Sequence, residues 1–238
     1  MQKTHLQCRE CKKEYDSTFK YICDECFGPL DVHYDFPSLT KNTFVNREQT
    51  YWRYFELLPI TDKSNIVSIN AGMTPLVKAE KLGKEIGLNN LYVKNDSVNP
   101  TFSFKDRPAG VAVSKAKEFG LASVGCASTG NLASATAAHA AKANMPCYIF
   151  APSDIETAKI AQALSYGAEY ISVDGTYDEG GWSVIEGHGP YDIPFGSTVN
   201  IVVADAVGGL SMRAKYDIGK LYKAAGSDSE LLSYNGSS

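Results

Sequence analysis

Lys105 stands in Asn99-Pro100-Thr101-Phe102-Ser103-Phe104-Lys105-Asp106-Arg107, a segment that leads into a helix with Ser103 as its expected N-cap. The first turn of a helix carries the positive end of the backbone dipole, which disfavours added positive charge and suits a neutral amine. A neutral amine is the form that attacks an aldehyde to make a Schiff base. A solvated lysine at a helix start, with Asp106 complementing the dipole, gives the same local pattern, so this segment alone does not decide. A second turn, Cys126-Ala127-Ser128-Thr129-Gly130-Asn131, joins an apolar run to an alanine-rich one, with Asn131 26 positions beyond Lys105. Free N–H groups at that helix start, with the Ser128 and Thr129 hydroxyls, form a receptor for a carboxylate. Asn131 suits either capping alone or capping together with contact to the ring oxygen of a bound cofactor.

A separate chemistry is written at the front of the chain. Cys8-x2-Cys11 and Cys23-x2-Cys26 form two knuckles separated by an 11-residue spacer. Each such turn presents two thiolates, and four soft ligands in a tetrahedron are what Zn²⁺ prefers. With all four positions occupied by thiolates, no site is open for a catalytic water, so the expected metal is structural. It would also supply folding energy that so small a unit lacks. Two redox pairs, or ligands that no longer bind metal, are the competing readings. Cys126 and Cys147 lie in apolar segments and read as small buried hydrophobes.

The elements that must hold these residues follow from periodicity and punctuation. Residues 1–34 form the cysteine module, and a polar linker follows. Tyr51-Trp52-Arg53-Tyr54-Phe55-Glu56-Leu57-Leu58 reads as an amphipathic helical turn or two, stopped by Pro59. Beyond it, helices are expected at 76–86, 106–119, 132–143 and 153–165, with strands at 91–94, 123–127, 147–150 and 169–173. That alternation argues for a parallel sheet covered on both faces. Residues 180–196 read as irregular loop, 200–204 as a further strand, Gly208-Gly209 as a turn or a phosphate cradle, and 212–225 as an amphipathic helix.

The 238 residues are 44% hydrophobic and carry a net charge of −4, an ordinary balance for a globular chain and unlike the basic footprint of a nucleic-acid binder. No apolar run approaches the ~20 residues of a membrane span. With no secretory pattern at Met1-Gln2-Lys3-Thr4-His5, the expected compartment is the cytoplasm, and the four clustered cysteines are not expected to form disulfides.

Three segments together, Gly72-Met73-Thr74-Pro75-Leu76, residues 99–107 and residues 127–133, resemble in order and spacing the fold-type II pyridoxal phosphate (PLP) enzymes of the tryptophan synthase β-subunit group. Within that group, the cysteine knuckles and Trp52-Arg53-Tyr54-x-Glu56-Leu57-Leu58-Pro59 are similar to ribbon-bearing threonine synthases. The resemblance covers roughly residues 5–178. It implies a three-layer α/β fold with parallel sheets behind an N-terminal zinc ribbon at 1–34, a catalytic part at 35–178, and a divergent segment at 179–238.

It further implies that Lys105 is the Schiff-base lysine and proton shuttle, that Asn131 contacts the 3′-oxygen of PLP, and that Ser128, Thr129 and Gly130 bind the substrate carboxylate. The implied reaction converts O-phospho-L-homoserine and water to L-threonine and phosphate. Cysteate synthase-like replacement chemistry on phosphoserine is the alternative, and a catalytically impaired remnant is another. Members of the family are longer, so the large domain is expected to be incomplete here. Where they often carry Thr after the asparagine, this chain has Leu132, so one hydroxyl contact is expected to be lost or replaced. A small amino-acid substrate is the implied partner, with no nucleic acid or membrane, and self-association is left open.

Overall fold

The computed structural model describes residues 3–18, 20, 22–35, 38–173, 198–204 and 210–217. At the front, β1 (Lys3–Cys8), β2 (Glu14–Asp16) and β3 (Leu30–Asp35) make an antiparallel sheet in the order β2-β1-β3. Few residues of this front part are buried, Leu6 and Cys8 in β1 and Cys23 in the connection between β2 and β3 among them, as expected of a module too small to build a core.

The segment after the linker holds α1 (Lys41–Val45) and a 3₁₀ stretch, Tyr51–Leu57, in place of the expected amphipathic turns. Tyr51, Trp52 and Phe55 bury against Ile60 and Ala71. Arg47 fixes the outer side by bidentate bonds to Glu56 at 2.6 and 2.7 Å, a fork-to-fork geometry that only a guanidinium provides.

Next, β4 (Leu76–Lys78) and β5 (Tyr92–Lys94) pair antiparallel, with α2 (Glu80–Glu85) between them. The helix expected over 76–86 is therefore shorter than its pattern suggests. Residues 76–78 are taken into a ladder with a partner more than ten residues away, a non-local contact that periodicity does not encode.

The main body runs α3 (Asp106–Glu118), β6 (Val124–Ala127), α4 (Asn131–Ala143), β7 (Cys147–Pro152), α5 (Thr157–Ser165) and β8 (Glu169–Val173). The three strands are parallel in the order β6-β7-β8, which confirms an α/β chain with a parallel sheet. Every residue of β6 and the first five of β7 are buried, so both faces of these strands are covered. The alanine-rich α4 is buried from Leu132 to Ala140 without interruption. Its small side chains let α3 and α5 pack close on either side, and Val113, Ala116, Val124, Leu132, Ala137 and Ile149 share one core. Asn144, at φ 54°, ends α4 in the left-handed conformation that asparagine tolerates. The helix expected from 153 begins only at Thr157, after a turn that follows Pro152.

A last pair, β9 (Thr198–Ala204) and β10 (Leu210–Asp217), is antiparallel. The strand expected at 200–204 is present. The helix expected from Met212 is not, over its described part: residues 212–217 are strand. Leu210, Met212, Ala214 and Tyr216 alternate with polar residues, a period of two that fits a ladder opposite the β-branched run of β9. The glycine-rich loop at 180–196 and the Gly208-Gly209 pair lie outside the described residues. No helix among the described residues is long and apolar enough to cross a membrane.

Candidate functional site

Lys105 is itself the N-cap of α3 and is half-buried, two positions earlier in the helix than the first-turn placement expected with Ser103 as cap. Ser103 still serves the turn: its Oγ accepts the Lys105 backbone N–H at 3.2 Å. The next residue anchors the loop from inside. The fully buried Asp106 carboxylate accepts the Thr101 N–H at 2.8 Å and the Thr101 hydroxyl at 2.7 Å. Phe102, between them, has φ 63°, and Pro108 enters the helix in its first turn, where its missing N–H costs nothing. The Lys105 Nζ lies 4.9 Å from the centre of the Phe104 ring.

The 72–75 turn is held against this loop. Asn99, buried, accepts the Gly72 N–H on Oδ1 at 2.9 Å and donates from Nδ2 to the Asp96 carbonyl at 3.0 Å. Gly72 has φ 81°, and a Cβ there would lie 2.9 Å from the Cβ of Tyr51, so both conformation and space require glycine. Met73, at φ 47°, follows it. Left-handed residues such as Met73 and Phe102 cost of order 1–3 kcal/mol each and persist only where neighbours over-determine them. At Phe102 the constraint comes from its N–H, donated to the Asn99 carbonyl at 2.8 Å, and from the Asp106–Thr101 bonds; Thr74, beside Met73, is tied to Arg107 by Asp96. The Arg107 hydrogen bonds, followed by that of Thr74, hold its carboxyl below the ordinary 3.8.

The second turn follows β6. Ser128 is buried, its N–H bonded to the Phe150 carbonyl at 3.1 Å, and its Oγ accepts the Gly130 N–H at 3.3 Å. Gly130, not Asn131, is the N-cap of α4; Asn131 is the first helical residue and its side chain is exposed. Capping is thus not its role, and the amide is left to other contacts. Leu132 points into the core with Val113 and Val124. A hydroxyl at that position would face the core rather than the turn.

Connectivity brings the two halves to one edge. The chain leaves α3 just before β6 begins and enters α4 just after β6 ends. The starts of α3 and α4 therefore both lie toward the carboxyl end of β6, the edge where open α/β sheets bind ligands. Ser128, Thr129, Gly130 and Asn131 form one continuous turn there, and Lys105 opens the neighbouring helix.

The four cysteine sulfurs all lie within 4.8 Å of one another. Cys8 Sγ is 3.4 Å from Cys26 Sγ, and Cys11 Sγ is 3.4 Å from Cys23 Sγ. A tetrahedral zinc thiolate site, with bonds of ~2.3 Å, has sulfur–sulfur edges of ~3.8 Å. The knuckles repeat each other: the residue after each second cysteine, Lys12 (φ 63°) and Phe27 (φ 57°), is left-handed. Burial pushes the Cys23 thiol up, but the Tyr15 hydroxyl and the backbone N–H groups of Cys26 and Glu25 outweigh it and bring it to about 6. For Cys11 the backbone bond at Lys13 favours the thiolate, yet the neighbouring thiols and burial prevail and raise it to about 12. Four sulfurs this close do not all ionise without a cation, a charge that a divalent metal would supply.

A family model described as pyridoxal-phosphate dependent enzyme matches residues 67–214. The chain belongs to the pyridoxal-phosphate dependent enzyme family. It is 42% identical over 179 residues to a threonine synthase of Methanocaldococcus jannaschii, a match that takes in 73% of this chain and 44% of that protein. A threonine synthase of Methanosarcina acetivorans is 41% identical over 179 residues, covering 74% and 44%, and one of Synechocystis is 40% identical over 154, covering 64% and 40%. The chain thus spans less than half the length of these curated relatives.

The family match includes Lys105, Ser128, Thr129, Gly130 and Asn131 and excludes all four clustered cysteines. Sequence reasoning missed the role of Asp96 in this family member. Its one local signal was Asn95-Asp96-Ser97, where Asn95 Oδ1 accepts the Ser97 N–H at 3.3 Å in an Asx turn. It also missed Tyr51 and His139. Both converge on Gly110, with the Tyr51 Oη 2.3 Å and the His139 Nε2 2.8 Å from the position of an added Cβ.

Proposed function

We propose that this chain carries the lysine-bearing part of a threonine synthase, which converts O-phospho-L-homoserine and water to L-threonine and phosphate. The observation that carries the reading is the shared edge of two helix starts. Lys105 opens one and a hydroxyl-lined anion turn opens the other, in a PLP-dependent enzyme similar to threonine synthases over most of its own length.

PLP, when bound to Lys105, supplies an electron sink for negative charge developing on the substrate carbons. The other roles belong to the chain. N–H groups at the start of α4, with the Ser128 and Thr129 hydroxyls and Gly130, take the substrate carboxylate. Asn131, exposed at the first helical position, would donate to the 3′-oxygen of the cofactor ring. Lys105 Nζ would carry protons between the substrate's α and β carbons.

The same proposal covers the organisation. Residues 1–34 are a structural zinc ribbon held by Cys8, Cys11, Cys23 and Cys26, residues 35–178 are the catalytic part, and 179–238 a divergent segment in a cytoplasmic protein. Phosphate release from O-phospho-L-homoserine by the PLP-loaded chain, against phosphoserine in parallel, tests the substrate. Release from the first, absent in Lys105→Ala, is expected. Preference for phosphoserine points to cysteate synthase-like chemistry, and release from neither to an impaired remnant.

A further inference from the structure

Three stretches of chain meet beside the start of α3: residues 72–74, residues 94–99 and the first turn of α3 itself. Asp96 joins them. Its Oδ1 and Oδ2 each accept from the Arg107 guanidinium at 2.9 Å, and Oδ1 also accepts the Thr74 hydroxyl at 2.6 Å. Arg107 reaches Thr74 Oγ1 as well, at 3.3 Å, and Lys94 Nζ donates to the Thr74 carbonyl.

The pair is about three-tenths exposed on each side, so as a plain ion pair it would add little to folding. Its geometry is more informative. Residues 105 and 107 stand roughly 200° apart around a helix axis. The guanidinium therefore grips the α3 start from the side opposite Lys105. Asp106, bonded to Thr101, pins the residue between them. The turn is locked at two successive positions, and the lysine side chain is left facing the remaining direction.

We propose that Arg107 is a positioning residue for Lys105: clamped across both oxygens of Asp96 and against Thr74, it sets the direction in which the amine leaves α3. The inference rests on the reading of Lys105 as the residue that binds PLP. The side-chain bonds of Arg107 and Asp96 run to each other and to Thr74, so both act on Lys105 through the backbone of the turn. Because the recognition is bidentate, a lysine at 107 keeps the charge but loses the orientation.

The test is site-resolved labelling. Full-length chain is incubated with PLP, reduced with borohydride, digested, and the label at residue 105 is compared with that on the other lysines. Arg107→Ala and Asp96→Asn are each expected to slow labelling at 105 by about tenfold or more, as expected when a reacting group is misplaced by a fraction of an ångström. Labelling of the other lysines should stay unchanged, the loss at 105 should persist far below each variant's thermal midpoint, and Arg107→Lys should not restore the rate.

Millimolar guanidinium should rescue Arg107→Ala but not the Arg107→Ala/Asp96→Asn double variant, a response that a purely structural role would not give. Unchanged labelling at 105 in Arg107→Ala, a loss that tracks a lowered thermal midpoint, or rescue that does not require Asp96 overturns the proposal. Failure of the unsubstituted chain to take label at 105 overturns the Lys105 reading itself, and is told apart because it does not depend on Arg107.

Discussion

His139 is fully buried, yet only one of its ring nitrogens is bonded, Nδ1 to the Ala135 carbonyl at 2.9 Å. With Nδ1 as the donor, Nε2 is an acceptor, and across Gly110 the buried Tyr51 hydroxyl is an unpaired donor. Burial lowers the His139 pKa below the ordinary 6.5, against the opposing pull of the Ala135 carbonyl and the Asp106 charge. The folded chain thus resists protonation that the unfolded chain accepts. The stability from keeping this ring neutral is complete above about pH 6.5 and declines as pH falls below it. Urea unfolding at pH 7.5 and 5.5 should show that loss, and His139→Gln should flatten it. At Gly110 a methyl group would collide with both rings. Gly110→Ala should cost about 1–3 kcal/mol or more by the same measurement, as overpacked cores do.

At the scale of elements, α3 is tied at its far end by one carboxylate. Glu118 accepts the backbone N–H groups of Thr61 and Asp62 at 2.8 and 3.0 Å and pairs with the buried Lys115 at 2.6 Å. Burial raises the Glu118 pKa, but Lys115 and the two amides prevail and hold it below the ordinary 4.5. Glu118→Gln should therefore cost about 3 kcal/mol, leaving a buried ammonium without its partner. That penalty should shrink as pH falls below about 4.5, where the unfolded carboxyl is protonated and the wild-type advantage declines.

The elements themselves were largely readable. Gly87 and Gly120, both left-handed, mark where α2 and α3 stop, and the apolar runs of β6, β7 and β8 stand between helical periods. One misreading fell where pairing spans an intervening helix, the other in a strand that pairs with its chain neighbour. Residues 76–78 follow a helical pattern but pair with β5, and 212–217 alternate in a way that a helical reading overlooked. The site was readable where its residues are contiguous, at 99–107 and 128–131. It was not readable where Asp96 collects Thr74 and Arg107 from opposite sides in sequence, because an ion pair leaves no periodic trace.

For the whole molecule, the two ends of the described chain differ in what they bury. The parallel-sheet body has a shared apolar core, whereas the front sheet has four sulfurs and few buried side chains. On the proposed zinc reading, a strong chelator should therefore unfold residues 3–35 and leave the body intact. Amide hydrogen exchange with and without added zinc would show protection lost over that stretch alone. Elsewhere, Leu76, Val77, Tyr92 and Val93 of the β4–β5 ribbon are all exposed, and these residues point alternately to its two faces.

The proposed function requires that the residue opening α3 react with the cofactor's aldehyde. Peptide mapping of the chain after PLP and borohydride measures this most directly. The prediction is a pyridoxyl group on Lys105, formed at sub-stoichiometric PLP before other lysines react, and absent from that peptide in Lys105→Ala. Label spread evenly over the surface lysines, with residue 105 unmodified, would contradict it.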